Sequence, residues 1–124
     1  MTGDTEHAHQ VALFKYAHFQ KDPAWKMLYA TPNGGHRHKL TAVKLKQEGV
    51  RAGIPDLTLP VMRKGFGGLY IELKRPKAKG KAKGRVTKQQ AEWMEALTNE
   101  GYLCVVCWGW LAAKDTIEGY LGEV

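Results

Sequence analysis

Three polar side chains stand where strands would hold them. Asp56 follows Pro55 at the head of the apolar stretch Leu57-Thr58-Leu59. Glu72 and Lys74 lie two apart in Leu69-Tyr70-Ile71-Glu72-Leu73-Lys74. A strand alternates its side chains between two faces, so residues 72 and 74 share one face and Leu69, Ile71 and Leu73 share the other. If the two segments pair as a hairpin, Asp56 comes alongside Glu72. Two carboxylates so placed suit a hard divalent cation such as Mg²⁺, which takes oxygen ligands and keeps several waters. Such a cation polarises a phosphoryl oxygen and lowers the pKa of bound water. A neighbouring lysine orients or deprotonates the attacking water, or stabilises the developing charge. The chemistry expected is hydrolysis of a phosphodiester.

Charge points to the same substrate class. The chain has 124 residues and a formal net charge of +7. Residues 74–88 hold Lys74, Arg75, Lys77, Lys79, Lys81, Lys83, Arg85 and Lys88 and no acid. The remainder is close to neutral, so the excess sits in one segment, the footprint expected for binding a phosphate backbone. A solvated basic loop kept for solubility is the plainer alternative. The core of this segment, Pro76 to Gly84, alternates Lys with Ala or Gly, lacks apolar periodicity and is expected to form a mobile loop over about residues 75–86.

Length and composition fit one globular domain over residues 1–124. No apolar run is long enough to span a membrane, and the N-terminus does not read as a signal peptide. Cys104 and Cys107 lie in an apolar run and are expected to be buried free thiols, not a zinc or redox pair. A soluble cytoplasmic protein is expected. His36 and His38, near a glycine turn, lack a third metal ligand. Trp93, Trp108 and Trp110 are expected in the core or an interface.

The elements that must position the polar residues follow from patterning. Apolar spacing predicts a helix over residues 5–20, started by Asp4 or Thr5 and closed at Pro23. Residues 26–31 read as a short strand and residues 38–48 as a second helix ending at Gly49. A strand at 57–59 and another at 69–74 are expected to form a hairpin. Thr87 is a good N-cap for a helix from Lys88 to about Asn99, with Ala91, Trp93 or Met94, and Leu97 on its core face. Tyr102 to Trp108 reads as an apolar strand buried on both faces. Lys114 to Leu121 closes the chain as a helix. The order α-β-α-β-β-α-β-α predicts an α/β (α+β) fold, a small mixed β-sheet flanked by helices.

Pro55-Asp56, a spacer, then Glu72-Leu73-Lys74 resembles the PD-(D/E)xK nuclease motif. The finer likeness is to its VRR-NUC branch, the virus-type replication-repair nucleases. It is carried by Glu48-Gly49-Val50-Arg51-Ala52-Gly53-Ile54-Pro55-Asp56-Leu57, by Glu72-Leu73-Lys74, and by Thr87-Lys88-Gln89-Gln90 with Trp93. The turn Pro32-Asn33-Gly34-Gly35 and a first helix with Glu6 and Gln10 extend it. The resemblance implies a restriction-endonuclease-like core and Mg²⁺- or Mn²⁺-dependent cleavage of DNA. It implies that Asp56 and Glu72 are metal ligands, joined by the backbone carbonyl of Leu73 and by Glu6 as an additional acid. It implies that Lys74 handles the nucleophilic water and that Gln90 faces the site. Arg75, Lys77, Lys79, Lys81, Lys83, Arg85 and Lys88 are expected to guide the DNA.

A chain of this size resembles the stand-alone viral or bacteriophage type, whose members resemble homodimeric Holliday-junction resolvases. No organic small-molecule cofactor is implied. Flaps, nicked duplex or other branched DNA remain alternative substrates. A non-catalytic basic nucleic-acid-binding module is the rival from another class.

Overall fold

The structure is a computed structural model that describes residues 5–32 and 39–122. The predicted Asn33-Gly34-Gly35 turn, His36 and His38 lie outside the described residues. Helix α1 (Glu6–His18) starts at Thr5, whose hydroxyl accepts from the Ala8 N–H at 3.0 Å. It buries Leu13 and Ala17, one helical turn apart on the same face. A 3₁₀ turn (Pro23–Met27) follows, capped by Asp22, and buries Ala24 and Trp25. Pro23 therefore opens a helical turn as well as closing α1, because proline suits a first helical position. The strand expected over 26–31 shrinks to β1 (Tyr29–Ala30) for that reason.

Next come α2 (Lys39–Gln47), β2 (Leu57–Leu59), β3 (Leu69–Lys74), α3 (Lys88–Asn99), β4 (Leu103–Trp108) and α4 (Trp110–Leu121). The four strands form one mixed sheet in the order β1-β2-β3-β4. β1–β2 and β2–β3 are antiparallel, and β3–β4 is parallel. A parallel pair needs a crossover, and α3 supplies it.

The hairpin register pairs Leu57 with Ile71 and Leu59 with Leu69. The parallel register pairs Ile71 with Val105 and Leu73 with Cys107. These residues line one face of the sheet, and α1, α4 and the 3₁₀ turn close over it. Leu13, Leu57, Leu59, Leu69, Ile71, Leu73 and Ile117 are all essentially solvent-free there. The alternation predicted for β3 holds, and its other face carries Tyr70, Glu72 and Lys74.

The apolar strand β4 is not buried on both faces. It lies at the sheet edge, and only Cys107 among its residues is buried. Nor does α3 have a buried face: Ala91 is exposed, and Trp93, Met94 and Leu97 are half-buried. Composition makes both look like core because a half-covered layer uses the same apolar residues as a closed one. Both cysteines are unpaired; Cys107 is buried and Cys104 half-buried.

Helix α4 begins at Trp110, ahead of the expected Lys114. Its N-cap, Gly109, brings no side chain, but the Trp110 N–H donates to Nδ1 of His9 at 3.0 Å. A residue in α1 thus satisfies the start of α4, which local patterning cannot reveal. At the other end, the buried Tyr120 hydroxyl donates to the Val61 carbonyl at 2.6 Å and ties α4 to the segment after β2. Tyr120→Phe leaves that carbonyl without its donor and should cost about 1–3 kcal/mol of stability, read by urea denaturation.

Candidate active site

Asp56 sits immediately before β2. Its backbone carbonyl accepts from the Thr31 N–H at 2.8 Å, and its Oδ2 accepts from the Leu73 N–H at 2.9 Å. The hairpin register, extended by one pair beyond Leu57 and Ile71, sets Asp56 opposite Glu72. The sequence-predicted pairing of the two acids is therefore built by the sheet.

The direction of the Leu73 backbone follows from the parallel ladder. The carbonyls of Gly68 and Lys74 accept from β4-side N–H groups of Leu103 and Gly109, at 3.0 and 2.9 Å. Alternate residues of a strand face the same neighbour, so Leu73 turns the other way, toward Asp56. Its carbonyl points to the same side as its N–H.

Glu72 is 1% exposed, yet it carries a carboxyl group. Its Oε2 accepts from Nε2 of Gln90 at 3.1 Å and lies 3.5 Å from the Lys74 Nζ. Its Oε1 is enclosed and accepts from no donor among the described residues. Burial, then the neighbouring Asp56 carboxylate and a hydrogen bond with it, push the Glu72 pKa up to about 8, against the opposing pull of Lys74.

Gln90 owes its direction to the start of α3. Thr87 and Gln90 form a capping box. The Gln90 N–H donates to the Thr87 hydroxyl at 3.1 Å, and the Thr87 N–H donates to Oε1 of Gln90 at 2.9 Å. The amide oxygen is thus occupied by the cap, which leaves the NH₂ end for Glu72. Gly53 brings the loop before Asp56 against this helix start. It has φ +88, and a Cβ there would come within 2.7 Å of the Gln89 Cγ. Only glycine permits that approach. Gly53 stands in the sequence within a motif, but its contact with α3 has no local signal.

The basic segment leaves β3 directly after Lys74. Ala78 and Lys81 pair across a turn, the Gly84 N–H donates to the Arg75 carbonyl at 2.8 Å, and an Arg75 Nη2 donates to the Ala82 carbonyl at 2.6 Å. Lys77, Lys79, Lys81, Lys83, Arg85 and Lys88 are exposed, while Arg75 is half-buried. Trp108 meets this segment, as its Nε1 donates to the Gly84 carbonyl at 2.7 Å. Its apolar surroundings in the sequence suggest a core or interface and give no sign of that contact.

Glu6 is exposed in the first turn of α1. His9, three residues on, lies against Gly109 just after β4, as does Pro76 just after β3, so this helix start lies at the same end of the sheet as Lys74. No hydrogen bond or ion pair among the described residues joins Glu6 to Asp56, Glu72 or Lys74.

A model of the VRR-NUC domain matches residues 4–110. The chain belongs to the VRR-NUC family. The VRR-NUC domain is a nuclease domain of the PD-(D/E)xK type, with DNA as its substrate. A solved structure described as a VRR_NUC domain protein matches at a TM-score of 0.79 and 31% identity, covering 98% of this chain and 91% of that one. Among curated proteins, none matches. The resemblance seen in the motifs and the expected α/β fold are both borne out.

VRR-NUC nucleases are generally divalent-metal dependent. The residues present fit such an ion. Asp56, Glu72 and the Leu73 carbonyl offer oxygen alone, the donor type that a hard cation takes. The enclosed Glu72 Oε1 is a buried acceptor without a donor among the described residues. No group of three or more His, Cys, Asp or Glu side chains is gathered among the described residues. An ion held here would therefore draw on backbone oxygen and water as well as on the two acids.

The raised pKa of Glu72 has a stability consequence. Between its ordinary value of 4.5 and about 8, the folded protein holds a proton that the unfolded chain has released. Unfolding then releases a proton, so metal-free stability falls as pH rises through that window. Glu72→Gln should remove this slope and make the variant more stable than wild type at the upper end. Urea denaturation in EDTA from about pH 5 to about pH 8 reads the difference.

Proposed function

We propose that this chain is a Mg²⁺- or Mn²⁺-dependent, structure-selective DNA endonuclease that acts as a homodimeric, Holliday-junction resolvase-like enzyme in the cytoplasm. The observation that carries the reading is the buried Glu72 carboxyl, with an oxygen that meets no donor among the described residues, beside Asp56 and Lys74. A protein that only binds DNA gains nothing from enclosing a carboxyl group at such cost. Catalysis uses that cost, because the site is ready to take positive charge.

Asp56, Glu72 and the Leu73 carbonyl would hold the metal ion, with Glu6 as a further acid. Bound there, the ion supplies Lewis acidity to a phosphoryl oxygen and acidifies water. Lys74, against Glu72, orients the water that attacks phosphorus. The water oxygen forms the new P–O bond, the bridging ester bond breaks, and the leaving oxygen takes a proton. Gln90 holds the Glu72 carboxyl in place. Arg75, Lys77, Lys79, Lys81, Lys83, Arg85 and Lys88 draw in the backbone and fix its position without reading bases.

Two-fold symmetry would set two such sites against the two symmetric strands of a four-way junction. The half-covered Trp93, Met94 and Leu97 of α3 support a second copy, since a helix without a buried side chain has apolar surface left to close. Among the described residues, no helix is long and apolar enough to cross a membrane. The two free cysteines support a reducing compartment.

The deciding experiment offers labelled four-way junction, flap, nicked duplex, duplex and single strand with Mg²⁺, Mn²⁺ or EDTA. Metal-dependent, paired symmetric nicks in the junction are expected. Lys74→Ala should lower the cleavage rate at least about 100-fold while junction binding survives. Preferential cleavage of flaps would transfer the reading to that substrate. Tight binding without cleavage under either metal would make the protein a binding module.

The basic segment has its own test. Replacing Lys77, Lys79, Lys81 and Lys83 together by alanine should weaken binding and flatten the dependence of log K on log salt. The slope should shrink by roughly 0.9 for each phosphate that is no longer neutralised. An unchanged slope would move the DNA path elsewhere.

A further inference from the structure

We propose that Trp108 is a positioning residue that pins the basic segment onto the stem of Lys74, coupling the part of the chain that takes the DNA backbone to the amine that handles the water. The inference rests on the nuclease reading of Lys74. A lysine amine ends a flexible four-carbon stem with many rotamers, so a fixed amine needs a packed stem. Lys74 is 6% exposed, although it is the last residue of its strand.

The cover comes from the basic segment. At Gly84 the chain passes so close that a Cβ there would lie 3.3 Å from the Lys74 Cβ, 3.4 Å from its Cδ and 3.3 Å from the Arg75 backbone nitrogen. Trp108 holds Gly84 in that place. Parallel pairing puts Trp108 opposite Lys74 on the same face of the sheet. Its Nε1–H reaches the Gly84 carbonyl at 2.7 Å, and Nζ of the adjacent Lys83 sits 4.5 Å from the centre of its ring. The segment is therefore tied to the sheet beside Lys74. A pull on its exposed lysines is transmitted through Gly84 to the stem that carries the amine.

Two substitutions test this. Trp108→Phe keeps a ring and removes the N–H. Gly84→Val keeps Trp108 and forces the segment away from Lys74. The first readout needs neither DNA nor metal: the rate at which acetic anhydride modifies Lys74, followed by peptide mass spectrometry, with thermal melts to confirm folding. The second is single-turnover cleavage at saturating four-way junction, alongside the dissociation constant for that DNA. In both variants Lys74 should be modified at least about threefold faster. The saturated rate should fall about tenfold or more, with the dissociation constant changed less than about threefold.

Unchanged Lys74 modification and unchanged saturated rate in a protein whose wild type cleaves would overturn the proposal alone. A defect confined to the dissociation constant would overturn it too, leaving Trp108 a support for binding only. A wild type that cleaves no DNA would remove the nuclease reading, and the coupling with it, whatever the acylation result.

Discussion

Glu72 carries a carboxyl group that water scarcely reaches, beside a second acid at Asp56. Taking such a group out of water costs several kcal/mol unless something compensates. The chain compensates from three directions. Lys74 comes from the same strand, Gln90 from the helix that crosses to the next strand, and the proton that Glu72 retains to about pH 8 comes from solvent. Strand register, helix cap and crossover all converge on one side chain. A shift of β3 by one residue would turn Glu72 into the greasy layer and expose Leu73 in its place.

The sheet divides its labour by face. One side, lined by Leu57, Leu59, Leu69, Ile71 and Leu73, is sealed by α1, α4 and the 3₁₀ turn and stabilises the domain. The other carries the polar residues and is only partly roofed by α3. Burial on the sealed side offsets the cost of the polar one. It also keeps β3 rigid, so Glu72 is held on a strand and not on a loop, where placement would be looser.

Much of this is legible in the residues. The alternation of β3, the hairpin, the Thr87 cap and the motif Asp56–Glu72–Lys74 are local patterns, and local patterns survive folding. What escapes is non-local. The apolar face of α3 and the apolar run of β4 read as core because residue type does not distinguish a half-covered edge from a sealed centre. The start of α4 depends on His9, which lies 101 residues away. Pro23 reads as an ending, but it also begins a 3₁₀ turn, with Asp22 as its cap. The contacts of Trp108 with Gly84 and of Gly53 with Gln89 cross between segments whose sequences do not announce each other.

Gln90 serves two masters. Its oxygen closes the capping box, and its nitrogen holds Glu72. A glutamate at this position would cap the helix as well and would gain from the helix dipole. It would also set a third acid against two that already crowd each other. Improving α3 in isolation thus removes the donor that Glu72 has from this helix. The best residue for the helix and the best partner for Glu72 are different amino acids here, so a redesign scored on α3 alone would be drawn to a residue that the buried carboxyl opposes.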